Sequence, residues 1–139
     1  VIRKAAISYY GTVMNDENYE KLKQLSIYGG TTWDARPEAI SQLGKYAKNN
    51  PETLGLFIEF LSDNTRSVRR NAVRQIGRYG EKKHLNVLDE LLVEDPILER
   101  NIRYAKKSIL KPTNKMKNDQ EKEIEELTKK LDNIRKLVN

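Results

Sequence analysis

Basic side chains are the only functional groups that recur in this sequence at spacings chemistry could use. Arg70, Arg74 and Arg78 follow one another in steps of four, so on a helix they share one face. A step of 33 residues carries Arg70 and Arg74 onto Arg103 and Lys107, and in the other direction reaches Pro37, Ser41 and Lys45, then Lys4 and Ser8. Fixed cations in such a row hold anions, either phosphates or the carboxylates of an acidic protein segment. The competing reading is an ordinary solvated helix face balanced by nearby glutamates, the usual fate of Lys/Arg-rich helices. Aromatic side chains for base stacking are not interleaved with the row, which argues against nucleic acid as its ligand. Arg3, Arg36 and Arg69 behave differently, recurring once every 33 residues instead of clustering. A structural ladder suits that pattern, each arginine bridging to an acidic turn residue of its own or a neighbouring repeat. Asp63 and Asp34 are the candidate acceptors.

The remaining chemistry is excluded by residue type. The chain has no cysteine, which removes disulfides, thiol catalysis and thiolate metal sites. His84 is the single histidine, so His-Glu-x-x-His and every other two-histidine zinc site is absent. It stands at the start of a helix beside Leu85, where a surface or capping role is expected. Neither a Gly-x-Ser-x-Gly elbow nor a phosphate-cradling glycine loop occurs, and Gly29-Gly30 reads as a turn. No carboxylate pair stands out from the acidic background. The sequence therefore predicts no catalytic residue, no metal and no cofactor. Trp33, beside the same turn, is expected to pack at a junction between repeats.

The elements that position these groups repeat. Ile2-Arg3-Lys4-Ala5-Ala6-Ile7, Ala35-Arg36-Pro37-Glu38-Ala39-Ile40 and Val68-Arg69-Arg70-Asn71-Ala72-Val73 align at steps of 33. Tyr10, Leu43 and Ile76 continue the register, each followed by a glycine: Gly11, Gly44 and Gly77. A weaker fourth copy lands on Ala105 and Ile109. Val68, Ala72, Ile76 and Tyr79 share one helical face, the alanine permitting close approach and the glycine expected to weaken the helix near its end. Three further helices lie between these: Tyr19, Leu22 and Leu25; Leu54, Phe57, Ile58, Phe60 and Leu61; Leu85, Leu88, Leu91 and Leu92. Pro51 suits a first helical turn, with Asn50 as its cap. Short polar breaks fall at Asp63-Asn64-Thr65, Gly80-Glu81-Lys82 and Glu94-Asp95-Pro96.

The fold this predicts is all-α: an α-solenoid of antiparallel helix pairs over residues 1–111, repeated about three and a half times. Residues 112–120 read as a polar linker begun by Pro112. Over 121–139, Ile124, Leu127, Leu131, Ile134 and Val138 alternate steps of three and four, a heptad seam. So short a helix needs a partner: the last repeat, which it would cap by folding back, a second copy of the chain, or another protein. A 37% hydrophobic and 33% charged composition suits an elongated molecule whose elements each expose a face, and a net charge of +6 favours anionic partners. No apolar run is long enough to span a membrane and no signal peptide opens the chain, so a cytoplasmic location is expected. The opening Val-Ile-Arg-Lys, already in helical register, reads as the edge of a piece cut from a longer polypeptide.

Neither the ankyrin Thr-Pro-Leu-His pattern nor the tetratricopeptide signature is present. The recurring apolar-Arg-x-x-Ala instead resembles HEAT repeats of the short, phycobilisome-lyase type. Three runs together, Ser26-Ile27-Tyr28-Gly29, Arg36-Pro37-Glu38-Ala39-Ile40-x-x-Leu43-Gly44 and Ser67-Val68-Arg69-Arg70-Asn71-Ala72, also resemble a region of certain peptidases. That region is the C-terminal HEAT-like domain of prokaryotic zinc aminopeptidases of the aminopeptidase N-like (gluzincin) family, whose heptad tail is similar too. The resemblance implies a non-catalytic accessory domain that shapes substrate access or supports assembly, with the parent's catalytic domain as its partner. That family's His-Glu-x-x-His and Gly-x-Met-Glu-Asn motifs are not in this sequence, so no catalytic residue transfers. The alternatives are a free-standing protein-interaction solenoid and, third, a HEAT-like nucleic-acid-binding module. In such solenoids the second helix of each pair lines the concave surface, which would put a basic groove in the last two repeats.

Overall fold

The computed structural model describes residues 4–28, 35–91, 95–111 and 114–138, with side chains in the last stretch from 116. Among these residues it is all-α. The helices are α1 (Lys4–Thr12), α2 (Asp16–Tyr28), α3 (Ala35–Leu43), α4 (Glu52–Phe60), α5 (Arg66–Tyr79), α6 (Leu85–Asp89), α7 (Pro96–Leu110) and α8 (Asn114–Val138). Short 3-10 turns at Gly44–Tyr46 and Lys82–His84 follow α3 and precede α6. Helices α1, α3, α5 and α7 form one layer, each packed on the next, while α2, α4 and α6 back α3, α5 and α7.

Burial follows the repeat. Ile40, Leu43, Phe57, Val68, Ala72 and Ile76 are fully enclosed, and Ala39, Ala72 and Ala105 give each layer helix a flat contact. Such pairs share one continuous core because no pair alone could cover its apolar side. Helix α5 is the most enclosed: Asn71, Val73, Gln75 and Gly77 are buried together with its apolar stripe. Local signals set the starts. The Asn15 side chain accepts from the Asn18 amide at 2.8 Å and begins α2. Asp95 accepts from the Leu98 amide at 2.8 Å, with Pro96 at the first position of α7.

Several sequence expectations shift. The repeated glycines do stand at their helix ends, Gly11 next to last in α1, Gly44 directly after α3 and Gly77 in the last turn of α5, but they are also contact points. A Cβ on Gly77 would stand 2.6 Å from the Cα of Ala105 in α7. On Gly11 it would meet the Gln42 Oε1 at 2.0 Å, and on Gly44 the Gln75 Oε1 at 2.2 Å. At Gly77 the neighbour is backbone, so any side chain would hold α7 off, whereas at Gly11 and Gly44 side chains of the next layer helix fill the space. The cap of α4 is Pro51 itself, with helical backbone, and Asn50 contributes its carbonyl to the Thr53 amide at 3.0 Å in place of a side-chain cap. The third backing helix is only Leu85–Asp89, with Leu91 beyond its end.

The tail differs most. Helix α8 begins at Asn114, so positions 114–120, expected as linker, are helical: Lys, Asn, Asp and Gln there are polar but carry no breaker. Every described side chain of α8 is exposed, including the whole seam: Ile124 at 64%, Leu127 at 57%, Leu131 at 49%, Ile134 at 57% and Val138 at 80%. The helix is not folded back as a cap. Arg3, Gly29, Gly30, Trp33, Asp34, Leu92, Glu94 and Pro112 lie outside the described residues.

Candidate protein-interaction face

Two classes of arginine separate in the structure, those spent on joining repeats and those left to solvent. Arg36 belongs to the first. Its Nε donates to the Ser26 carbonyl at 2.8 Å at the end of α2, and its two terminal nitrogens fork onto both oxygens of Asp63 in the turn before α5. One side chain thereby ties its own pair to the next. Asp63 also accepts from the Thr65 amide at 2.8 Å, while its carbonyl accepts from Arg69 at 2.7 Å. Burial pushes the Asp63 carboxyl up, but the Arg36 guanidinium and the Thr65 amide outweigh it and hold it below the ordinary value.

Arg70, expected on the open basic row, is diverted in the same way. It is only 21% exposed and donates to Asp95 at 3.1 Å. The Leu98 amide, then Arg70 and Arg66, hold the Asp95 carboxyl below its usual range against some desolvation. Cap and ion pair thus meet on one carboxylate, fixing the start of α7 against α5. The row that remains is Arg74, Arg78, Arg103 and Lys107. All four are exposed, and none makes an ion pair among the described residues.

Their placement is not one stripe. Arg74 and Arg78 border a shallow groove between α5 and α7, whose other wall carries Asn101, Tyr104 and Ser108. The Asn101 side-chain nitrogen is buried there without a hydrogen-bond partner. Arg103 and Lys107 are not among the residues lining that groove, and the Arg103 guanidinium lies 6.0 Å from the Tyr104 ring centre. Tyr104, 59% exposed, is an aromatic side chain set among the cations, which the sequence reading denied. The neighbour of Arg103 in sequence was its signal. In the earlier repeats Lys4 pairs with Glu38 at 3.2 Å, and Ser41 is drawn into a buried network, so basic character concentrates in α5 and α7.

That network escaped the sequence reading. The Asn71 amide donates to the Pro37 carbonyl at 2.8 Å and to the Ser41 hydroxyl at 2.9 Å, and Gln75 donates to Asn71 at 3.2 Å. Gln42 and Gln75 stand 33 apart, a repeat visible in the sequence beside the glycines they cover. Asn71 has no such repeat and left no trace. A second buried link joins the first pairs: the Tyr46 hydroxyl donates to the Tyr10 carbonyl, and Tyr19 and Thr53 hydroxyls meet at 3.0 Å. His84 is buried, not superficial, and its Nδ1 accepts from the Glu81 amide at 2.8 Å. Among the described residues no three metal-ligating side chains come together, and no helix is long and apolar enough to cross a membrane.

Comparison with known proteins agrees with the repeat and goes no further. A family model described as HEAT repeats matches residues 25–105. Neither curated proteins nor solved structures yield a match. The resemblance to aminopeptidases therefore has nothing behind it but the quoted motifs. The matched region takes in the last turn of α2, α3 to α6 and two thirds of α7, more than half of the sequence, and the chain belongs to the HEAT-repeat family.

Proposed function

We propose that this chain is a non-catalytic scaffold that receives an acidic segment of a partner protein on the α5–α7 face. HEAT repeats in general mediate contacts between proteins. The observation that carries the reading is the division of the arginines. Helix α5 contains five arginines and no acid; the structure occupies Arg66, Arg69 and Arg70 with neighbouring carboxylate or carbonyl groups and leaves Arg74 and Arg78 to solvent. A groove carrying two free guanidinium groups, an exposed tyrosine and an unsatisfied amide donor suits an extended segment bearing carboxylates. Tyr104 supplies the amphipathic anchor common at interface centres.

A peptidase-accessory role rests on the resemblance alone, and nothing in the groove favours it. Nucleic acid is disfavoured because a single aromatic cannot track successive bases and the free cations are few. The test is fluorescence anisotropy of the full chain against a labelled poly-glutamate peptide and a labelled single-stranded DNA. Peptide binding that Arg74→Glu with Arg78→Glu abolishes, and Tyr104→Ala weakens, is expected. Binding of DNA alone, falling steeply with salt, would replace this reading with the nucleic-acid one. Binding of neither at low ionic strength would return the face to ordinary solvated surface.

A further inference from the structure

Helix α8 presents five exposed apolar side chains in heptad register, and after Lys115 and Lys117 its charges are sorted along its length. From Asp119 to Glu126 it carries Asp119, Glu121, Glu123, Glu125 and Glu126 against Lys122 alone; from Lys129 to Lys136 it carries Lys129, Lys130, Arg135 and Lys136 against Asp132. The helix dipole favours this sorting, but its influence fades within the first and last turns. Glu125, Glu126, Lys129 and Lys130 lie in the middle of a 25-residue helix. There Lys129 pairs with Glu125 one turn back at 3.6 Å, joining the two halves within the helix, while the outer charges of each half keep an order that a second helix of opposite direction would complement.

We infer that α8 pairs antiparallel with α8 of a second copy of this chain. In a pairing centred on Lys129, Ile124 packs against Ile134 of the second copy and Leu127 against Leu131, so four apolar layers close with the symmetry of a twofold axis. The acidic half of each helix then lies along the basic half of the other. At the flanking positions Glu121 faces Arg135 of the second copy twice, once at each end, and Lys130 meets its own counterpart in the middle. A parallel pairing is worse on charge, setting Lys130 beside Arg135 on both sides and like halves against like. An antiparallel register one heptad further on leaves Ile124 unpaired and Glu121 beyond the end. About two heptads of seam make the pairing weak and concentration-dependent, and the interface owes nothing to the α5–α7 face.

Sedimentation equilibrium of the full chain over rising concentration gives the first readout. The mass is expected to climb from 16.2 kDa toward twice that value. Leu127→Asp with Leu131→Asp should hold it at the monomer while leaving the repeats folded, since both side chains are exposed in the single chain. Arg135→Glu should weaken association several-fold, and Glu121→Arg added to the same chain should restore it. Orientation is read by disulfide trapping, which the absence of native cysteine makes clean. A mixture of Glu121→Cys and Arg135→Cys chains should cross-link to each other in preference to themselves. A chain that stays monomeric throughout, a dimer indifferent to the Leu127 and Leu131 changes, self-linking by each cysteine variant, or failure of the charge exchange to restore association would each overturn the inference.

Discussion

Glycines at one register, in this fold, do different amounts of work, because what stands opposite each one differs. Gly77 faces backbone: the Cα and Cβ of Ala105 would both lie 2.6 Å from an added Cβ, and no rotamer relieves that contact. Gly77→Ala should therefore force α7 outward and cost about 1–3 kcal/mol, even after the helix gains from losing a glycine. Gly11 faces the Gln42 side chain, whose amide can swing away while its Cβ, 3.0 Å off, must give by a few tenths of an ångström, so Gly11→Ala should cost less than Gly77→Ala, about 1 kcal/mol at most. Gly55, in α4, has nothing within 4 Å, and Gly55→Ala should stabilise by about 0.5–1 kcal/mol. Urea midpoints in that order check the idea; equal effects at the three sites would refute it. Asp63 makes a second prediction at this scale. Its folded pKa is lowered, so its contribution is complete above the unfolded value of about 4 and drains away as pH falls through the lower folded value. Urea midpoints of the wild-type protein should drop below about pH 4, and Asp63→Asn, already weaker at neutral pH, should show a shallower drop. Arg36→Ala should cost about 2 kcal/mol, because it leaves the half-buried carboxylate with no guanidinium.

Element boundaries show where reading the sequence ran out and why. Apolar period and small-residue register located every helix of the layer, since Ala39, Ala72 and Ala105 and their neighbours are repeated and buried together. The glycines were found at their helix ends but their second task, helix contact, was not, because a glycine near a helix end and a glycine at a helix contact look alike in one dimension. Arg70 was assigned to an open face because helical angle alone cannot show that the next helix begins, with Asp95, directly over it. The capping aspartate is the better place to test that junction. Asp95→Asn keeps an acceptor for the Leu98 amide but loses the charge facing Arg70 and Arg66; Asp95→Ala loses both. Thermal midpoints should fall in the order wild type, Asn, Ala, and a coincidence of Asn with Ala would mean that the cap contributes nothing. The glycine register changes at α7. The position 33 beyond Gly77 is Leu110, 55% exposed, whose bulk would keep another layer helix from the approach that glycine permits.

At the scale of the whole molecule, the repeats and α8 are held by different means. The repeats bury a continuous core and are cross-tied by Arg36, Arg70 and the Asn71 network, whereas none of the described side chains of α8 is buried. The seam was legible because heptad spacing needs only local sequence; what covers it was not, because that depends on surfaces outside the helix. Helices in proteins owe most of their stability to packing of an apolar face, so the helicity of α8 should depend on association while that of the repeats should not. Two measurements separate these parts. Ending the chain at Lys111 should leave the urea midpoint of the repeats unchanged, because no core contact is removed. Diluting the full chain should lower its mean residue helicity, and the shortened chain should show no such dependence. A lower midpoint on truncation would mean that α8 covers the repeats in solution. The folded-back cap would then displace the pairing of two copies as the use of that seam.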